Sequence, residues 1–293
     1  MRNNFRFIST IPSYQFALRS FLFLFITLFY SNIVVASDVI PNDTNELYIK
    51  SGLKRQIDSF PSIILAQIKA AIQKDPDKNK YQQNDIKKIV KQIRGVFEAP
   101  ELKAQALEVL EKELTPSETK VLLDWFASPA GKRVAWYEDH ISTRAGYLAI
   151  HEYEKNIAKK PPAEDYRNTI TKLTNNMNVI KAAVDMALIN EVVVNSAMAS
   201  LQPNFTVESL DDITKQTERN KNKLKQQVTE YMKLPMLFTY SYLSEKELSL
   251  YLEFTSTDLG MKYFSVMIKA LNTTFKKASI EFRKKIIGIK SFR

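Results

Sequence analysis

The segment Leu114–Arg133 recurs, without a gap, as Leu243–Lys262. Leu114 falls on Leu243, Thr115 on Ser244, Glu118 on Glu247, Leu123 on Leu252, Asp124 on Glu253 and Gly131 on Gly260, all at one constant offset. An offset of 129 residues describes a duplicated domain, since solenoid units are only about 20–50 residues. Each copy begins as a helix start. Thr115 is an N-cap, Pro116 suits the first helical position, and Glu118 sits three residues after the cap, which is a capping box. Ser244 and Glu247 repeat it. Val121, Leu122, Trp125 and Phe126 then form an apolar face, as do Leu248, Tyr251, Leu252 and Phe254. A second start follows at once, capped by Ser128 before Pro129 and by Thr257 before Asp258. Gly131 and Gly260 fall in the first turn of that next helix. A helical glycine costs about 1 kcal/mol against alanine, so its recurrence points to a close approach, read here as tight helix packing with ligand contact as the rival.

The Leu-Thr/Ser-x-x-Glu, aromatic, Ser/Thr-Pro/Asp-x-Gly-x-Lys/Arg pattern resembles that of domain of unknown function 2059, an all-helical domain of Gram-negative envelope proteins. The stretch from Ser51 to Pro61 is similar to that family's opening helix. The second copy departs at Asp258, where the family has proline, a change that is neutral at a helix start. The resemblance implies a helical fold in the bacterial envelope. It brings no catalytic residues, so none is assigned, and no cofactor or metal is expected.

The N-terminus reads as a targeting segment. Arg2, Arg6 and Arg19 carry positive charge, no acid precedes Asp38, and Phe21–Tyr30 is an apolar core. Val34 and Ala36 place small or modest side chains before a cleavage site, so residues 1–36 are read as a signal peptide cleaved after Ala36 and the mature protein as periplasmic. The alternative is an uncleaved inner-membrane anchor, for which the apolar run is short of the roughly 20 residues a span needs. Cleavage would leave 257 of the 293 residues and lower the formal charge from +10 to +7. Cysteine is absent, which excludes disulfides, thiol nucleophiles and cysteine-based metal sites.

Glycine is scarce, at 6 residues, strand-like alternation is weak and helix formers dominate, so the fold class is all-α. Helices are predicted at roughly 46–74, with a break near Pro61, then 83–98, 100–112, 116–127 and 129–158. Lys159-Lys-Pro-Pro separates the chain into a first helical domain, 37–160, and a second, 161–293. The second half is predicted helical at roughly 166–200, 207–233, 244–256 and 258–288, with the apolar Leu234–Leu243 stretch buried before the second capping box.

The last helix carries Phe264, Ile268, Leu271, Phe275, Ala278 and Phe282 as one apolar stripe. From Lys262 onward nine basic residues face a single acid, Glu281. Lys276, Lys277, Arg283, Lys284 and Lys285 are therefore the candidate partner surface, toward an unknown envelope protein or anionic lipid. No nucleic-acid partner is expected of an exported chain without a recognised binding motif. The two histidines, His140 and His151, lie about 16 Å from each other along one helix, too far to chelate one metal. Trp125, Trp136, Tyr137, Tyr147 and Tyr153 crowd the first copy as core or groove residues. The primary reading is an exported, non-enzymatic binding or accessory protein of the envelope. The alternatives are a hydrolase of an envelope polymer acting through paired carboxylates and a peripheral membrane protein held by the last helix.

Overall fold

A computed structural model describes residues 43–290, apart from 142, 158, 203 and 204. The segment read as a signal peptide, 1–36, lies outside the described residues. Within them the fold is all-α, with no strand. The first half contributes α1 (Asp43–Lys50), α2 (Leu53–Lys74), α3 (Gln83–Phe97), α4 (Pro100–Glu113), α5 (Pro116–Ala127), α6 (Pro129–His140) and α7 (Arg144–Ile157). The second contributes α8 (Glu164–Asn176), α9 (Val179–Ser200), α10 (Glu208–Arg219), α11 (Lys221–Tyr240), α12 (Glu245–Ser256) and α13 (Asp258–Lys290).

Several predicted helices are broken or joined differently. The break expected at Pro61 lies instead at Gly52, whose φ of 73° is left-handed and suits glycine. Pro61 and Pro235 both stand inside helices, α2 and α11, with their rings buried. Core packing there outweighs the roughly 3 kcal/mol that an internal proline costs. The helix expected at 166–200 is two, because Asn178 adopts φ 53°, a conformation that asparagine tolerates better than other non-glycine residues. The helix expected at 129–158 divides after His140. There Thr143 caps Gly146, its hydroxyl accepting from the Gly146 N–H at 3.0 Å.

Buried residues from both sides of residue 160 form one contiguous core rather than a separate core in each half. Helix α9 is its axis. It touches α13, α10, α11, α2 and α8 and is buried over most of its circumference. It is long and apolar enough to cross a membrane, but 67% of its apolar window is buried within the fold. Helix α13 packs most extensively on α4, then on α9 and α3. Its whole predicted apolar stripe is buried, and Phe275 stacks on Phe60 of α2 with ring centroids 3.9 Å apart. Each such ring contributes about 1.5–3 kcal/mol of burial.

Candidate functional site

The two signature segments fold alike and then pair with each other. Glu118 N–H donates to Thr115 Oγ1 and Thr115 N–H donates back to Glu118, at 3.3 and 2.8 Å. Ser244 and Glu247 repeat both bonds at 3.3 and 2.9 Å. The free oxygen of each capping glutamate reaches across. Lys262 holds Glu118 at 2.7 Å, and Arg133 holds Glu247 at 2.6 Å. Arg133 and Lys262 stand 129 residues apart, as do Glu118 and Glu247, so the two ion pairs are reciprocal. At the centre Trp125 stacks on Phe254, which stands at the same 129-residue offset, with centroids 4.4 Å apart and planes within 3°. Such i-to-j and j-to-i pairing is the contact pattern of a twofold interface. The Lys262 hydrogen bond, aided by the Thr115 N–H, pulls the Glu118 carboxyl down to about 2. Hydrogen bonds from Ser244 lower Glu247.

Gly131 and Gly260 serve this junction. Their N–H groups donate to Ser128 Oγ and Thr257 Oγ1 at 3.0 and 2.9 Å. A Cβ on either would overlap a carbonyl oxygen of the preceding helix, that of Trp125 or Phe254. Gly146 stands in the same relation to Thr143 and the His140 carbonyl. The close approach is thus to the preceding helix's own backbone.

The basic face of α13 divides in two. Arg283 turns inward, donating to Asp211 of α10 at 2.8 Å and to Thr214 at 3.2 Å, and so leaves the candidate surface. Lys262 and Lys269 are likewise taken up, the latter by Glu113 at 2.7 Å. Lys276, Lys277 and Lys284 are exposed and Lys285 is half-buried. Among the described residues no ion pair joins any of these four to an acid. Ile280, 55% exposed, lies between them on the same helical face.

A second exposed surface is aromatic. Trp136 of α6 is 48% exposed and stacks on His140 at 5.1 Å, while Tyr242, 53% exposed, stacks on Tyr137 at 5.4 Å. Arg133 lies over the Tyr137 ring and donates to its hydroxyl at 3.2 Å. His151 lies 3.5 Å from Glu154 on α7. Among the described residues no group of three or more His, Asp or Glu is placed to hold a metal ion.

The group that sequence reading missed is Glu138. It is buried in α6, 2% exposed, and its Oε1 accepts from Tyr240 at 2.7 Å and from Tyr251 at 2.8 Å. Both tyrosines come from the second half, at the end of α11 and in α12. Met177 Sδ lies 3.0 Å from the Tyr251 hydroxyl. Burial drives the Glu138 carboxyl up to about 8, against the pull of the two tyrosines and of Arg55. Its available signal was phase. Ala130, Val134 and Glu138 share one buried face of α6, at four-residue steps where apolar residues belong.

A family model described as "Uncharacterized protein conserved in bacteria (DUF2059)" matches residues 100–147. The chain is similar to that family from α4 to the start of α7, a span that holds Thr115, Glu118, Gly131 and Glu138. No curated protein and no solved structure matches the chain.

Proposed function

We propose that this chain is an exported, non-enzymatic binding protein of the bacterial envelope. It is built from two copies of one helical motif and docks through the outward face of α13. The first copy is the matched segment, and the second is centred on 243–262. The duplication is supported by the constant offset and by the reciprocal Glu118–Lys262 and Glu247–Arg133 pairs. Export is supported by the arginine-flanked apolar N-terminus.

The observation that carries the docking reading is the split in the basic helix. Bases that could stabilise the fold are spent on Glu118, Glu113 and Asp211, whereas Lys276, Lys277 and Lys284 surround exposed Ile280. Lysines around a lone apolar side chain suit an anionic lipid surface, where the charges meet headgroups and the isoleucine enters the boundary.

Affinity purification of the tagged protein from its own envelope fraction tests this, beside a Lys276→Glu/Lys277→Glu/Lys284→Glu variant. Anionic phospholipid is expected with the first and lost from the second. Equal recovery from both would remove α13 from the binding role.

A further inference from the structure

We infer that Glu138 is a proton-held latch on the seam between α6 and the α11–α12 hairpin, closed while the carboxyl keeps its proton and loosened when the proton leaves. The inference stands apart from the docking reading. It rests first on where the acid is. Its only hydrogen-bond partners among the described residues, Tyr240 and Tyr251, belong to the hairpin, so the contact spans the seam. Its second oxygen, Oε2, is fully buried and has no partner among the described residues. A carboxylate held that way lacks the bonds that would offset its lost hydration. Any opening that wets Oε2 therefore favours the ionised form.

The second observation is asymmetry. The counterpart of Glu138 in the second copy, at the offset of the repeat, is Met267, which is buried in α13. The same place in the repeat is filled by an apolar side chain of similar length, so the motif does not need an acid there to fold. Tyr251 likewise answers to Leu122 and Tyr263 to Val134, both apolar and buried. A polar cluster is thus built on one side only of a pair of segments that otherwise mirror each other.

The groups around Glu138 leave it as the one that responds. Arg55 of α2 is its nearest cationic influence and is ion-paired to Asp139, the next residue on α6. Tyr240, Tyr251 and, on α13, Tyr263 are raised well above the ordinary tyrosine value by burial and keep their protons throughout. Tyr166 of α8 influences Tyr240 and is itself raised by burial, with its hydroxyl donating to the Leu237 carbonyl at 2.6 Å. Met177, which follows α8, carries no charge. His140 on α6 is turned to Trp136 at the surface. Opening the seam exchanges a neutral buried acid for a hydrated carboxylate plus a released proton, so the opening constant rises as pH rises.

Native-state hydrogen exchange on the full chain tests the latch, at pH 6, 7 and 8 with small additions of denaturant, after correction for intrinsic exchange. In the wild type, amides of α11 and α12 are expected to exchange through an opening with weaker denaturant dependence than those of α9. Their protection should fall by up to about tenfold per pH unit. Glu138→Gln and Glu138→Met are expected to flatten that pH dependence, the methionine variant serving if glutamine disturbs folding. Two results overturn the latch. One is the same pH dependence in both variants. The other is seam amides that follow the denaturant dependence of α9, which would leave only global unfolding.

Discussion

Resistance to urea is expected to fall as pH rises from about 4.5 to about 8, with Glu138 responsible for most of the slope. An unfolded chain titrates this carboxyl near the ordinary 4.5, and the fold raises it to about 8. Below the lower value both states hold the proton, and the contribution is present in full. Between the two values only the folded state holds it, so each pH unit costs up to about 1.4 kcal/mol. Above the upper value both states are ionised and the loss is complete. The whole span is on the order of 5 kcal/mol, a large share of the roughly 5–15 kcal/mol that holds a typical domain together. The capping glutamates act oppositely and elsewhere. Glu118, lowered to about 2 by Lys262, contributes stability that is lost as pH falls below about 4.5, so it does not obscure this window. Urea midpoints at pH 5, 6.5 and 8 check the expectation in wild type, Glu138→Gln and Glu138→Met. The methionine variant should be nearly flat and the most stable of the three at pH 8, since it replaces a buried ionisable group by an apolar side chain of similar length. Parallel slopes in all three would show that the acid is not the source.

Gly131→Ala and Gly260→Ala are each expected to cost about 3 kcal/mol or more, because the new methyl group would overlap the backbone carbonyl of Trp125 or Phe254. Neither carbonyl can yield without parting the helix pair it joins, α5 from α6 or α12 from α13. For a chain of this size that is a fall of about 6–12 °C in Tm. Gly95 supplies the contrast. It lies inside α3 with nothing near its would-be Cβ, so Gly95→Ala should raise stability by about 0.5–1 kcal/mol. Thermal melts of the three variants check this. A neutral Gly131→Ala would mean that the α5–α6 junction is looser than its contacts imply.

Local chemistry was the legible part of this sequence. The capping boxes at Thr115/Glu118 and Ser244/Glu247 depend on residues three apart, and their spacing alone predicts the bonds found. The apolar stripe of α13 was legible for the same reason, since helical phase decides which side chains share a face. Pairing between distant segments was not. Nothing local tells Trp125 that its stacking partner is Phe254, or Glu118 that its free oxygen will meet Lys262. Pro61 misled because tertiary burial overrode a local penalty. The break at Asn178 carried no glycine or proline to announce it. Glu138 reads in the sequence as one more charged helical residue, although its place on the Val134 face marks an interior position. On α13 composition gave the charge, but only the fold separates Arg283, held by Asp211, from the outward Lys276, Lys277 and Lys284.

Flotation of the protein with phospholipid vesicles is the most direct test of the proposed docking face, using anionic and neutral compositions at low and high salt. Each lysine near an anionic surface contributes about 1 kcal/mol, so reversing Lys276, Lys277 and Lys284 to glutamate should weaken binding by at least on the order of a hundredfold. The account predicts that wild-type protein floats with anionic vesicles only, that salt releases it, and that the triple variant stays at the bottom of the gradient. Wild type and variant floating equally, or neither floating with anionic vesicles, would contradict it.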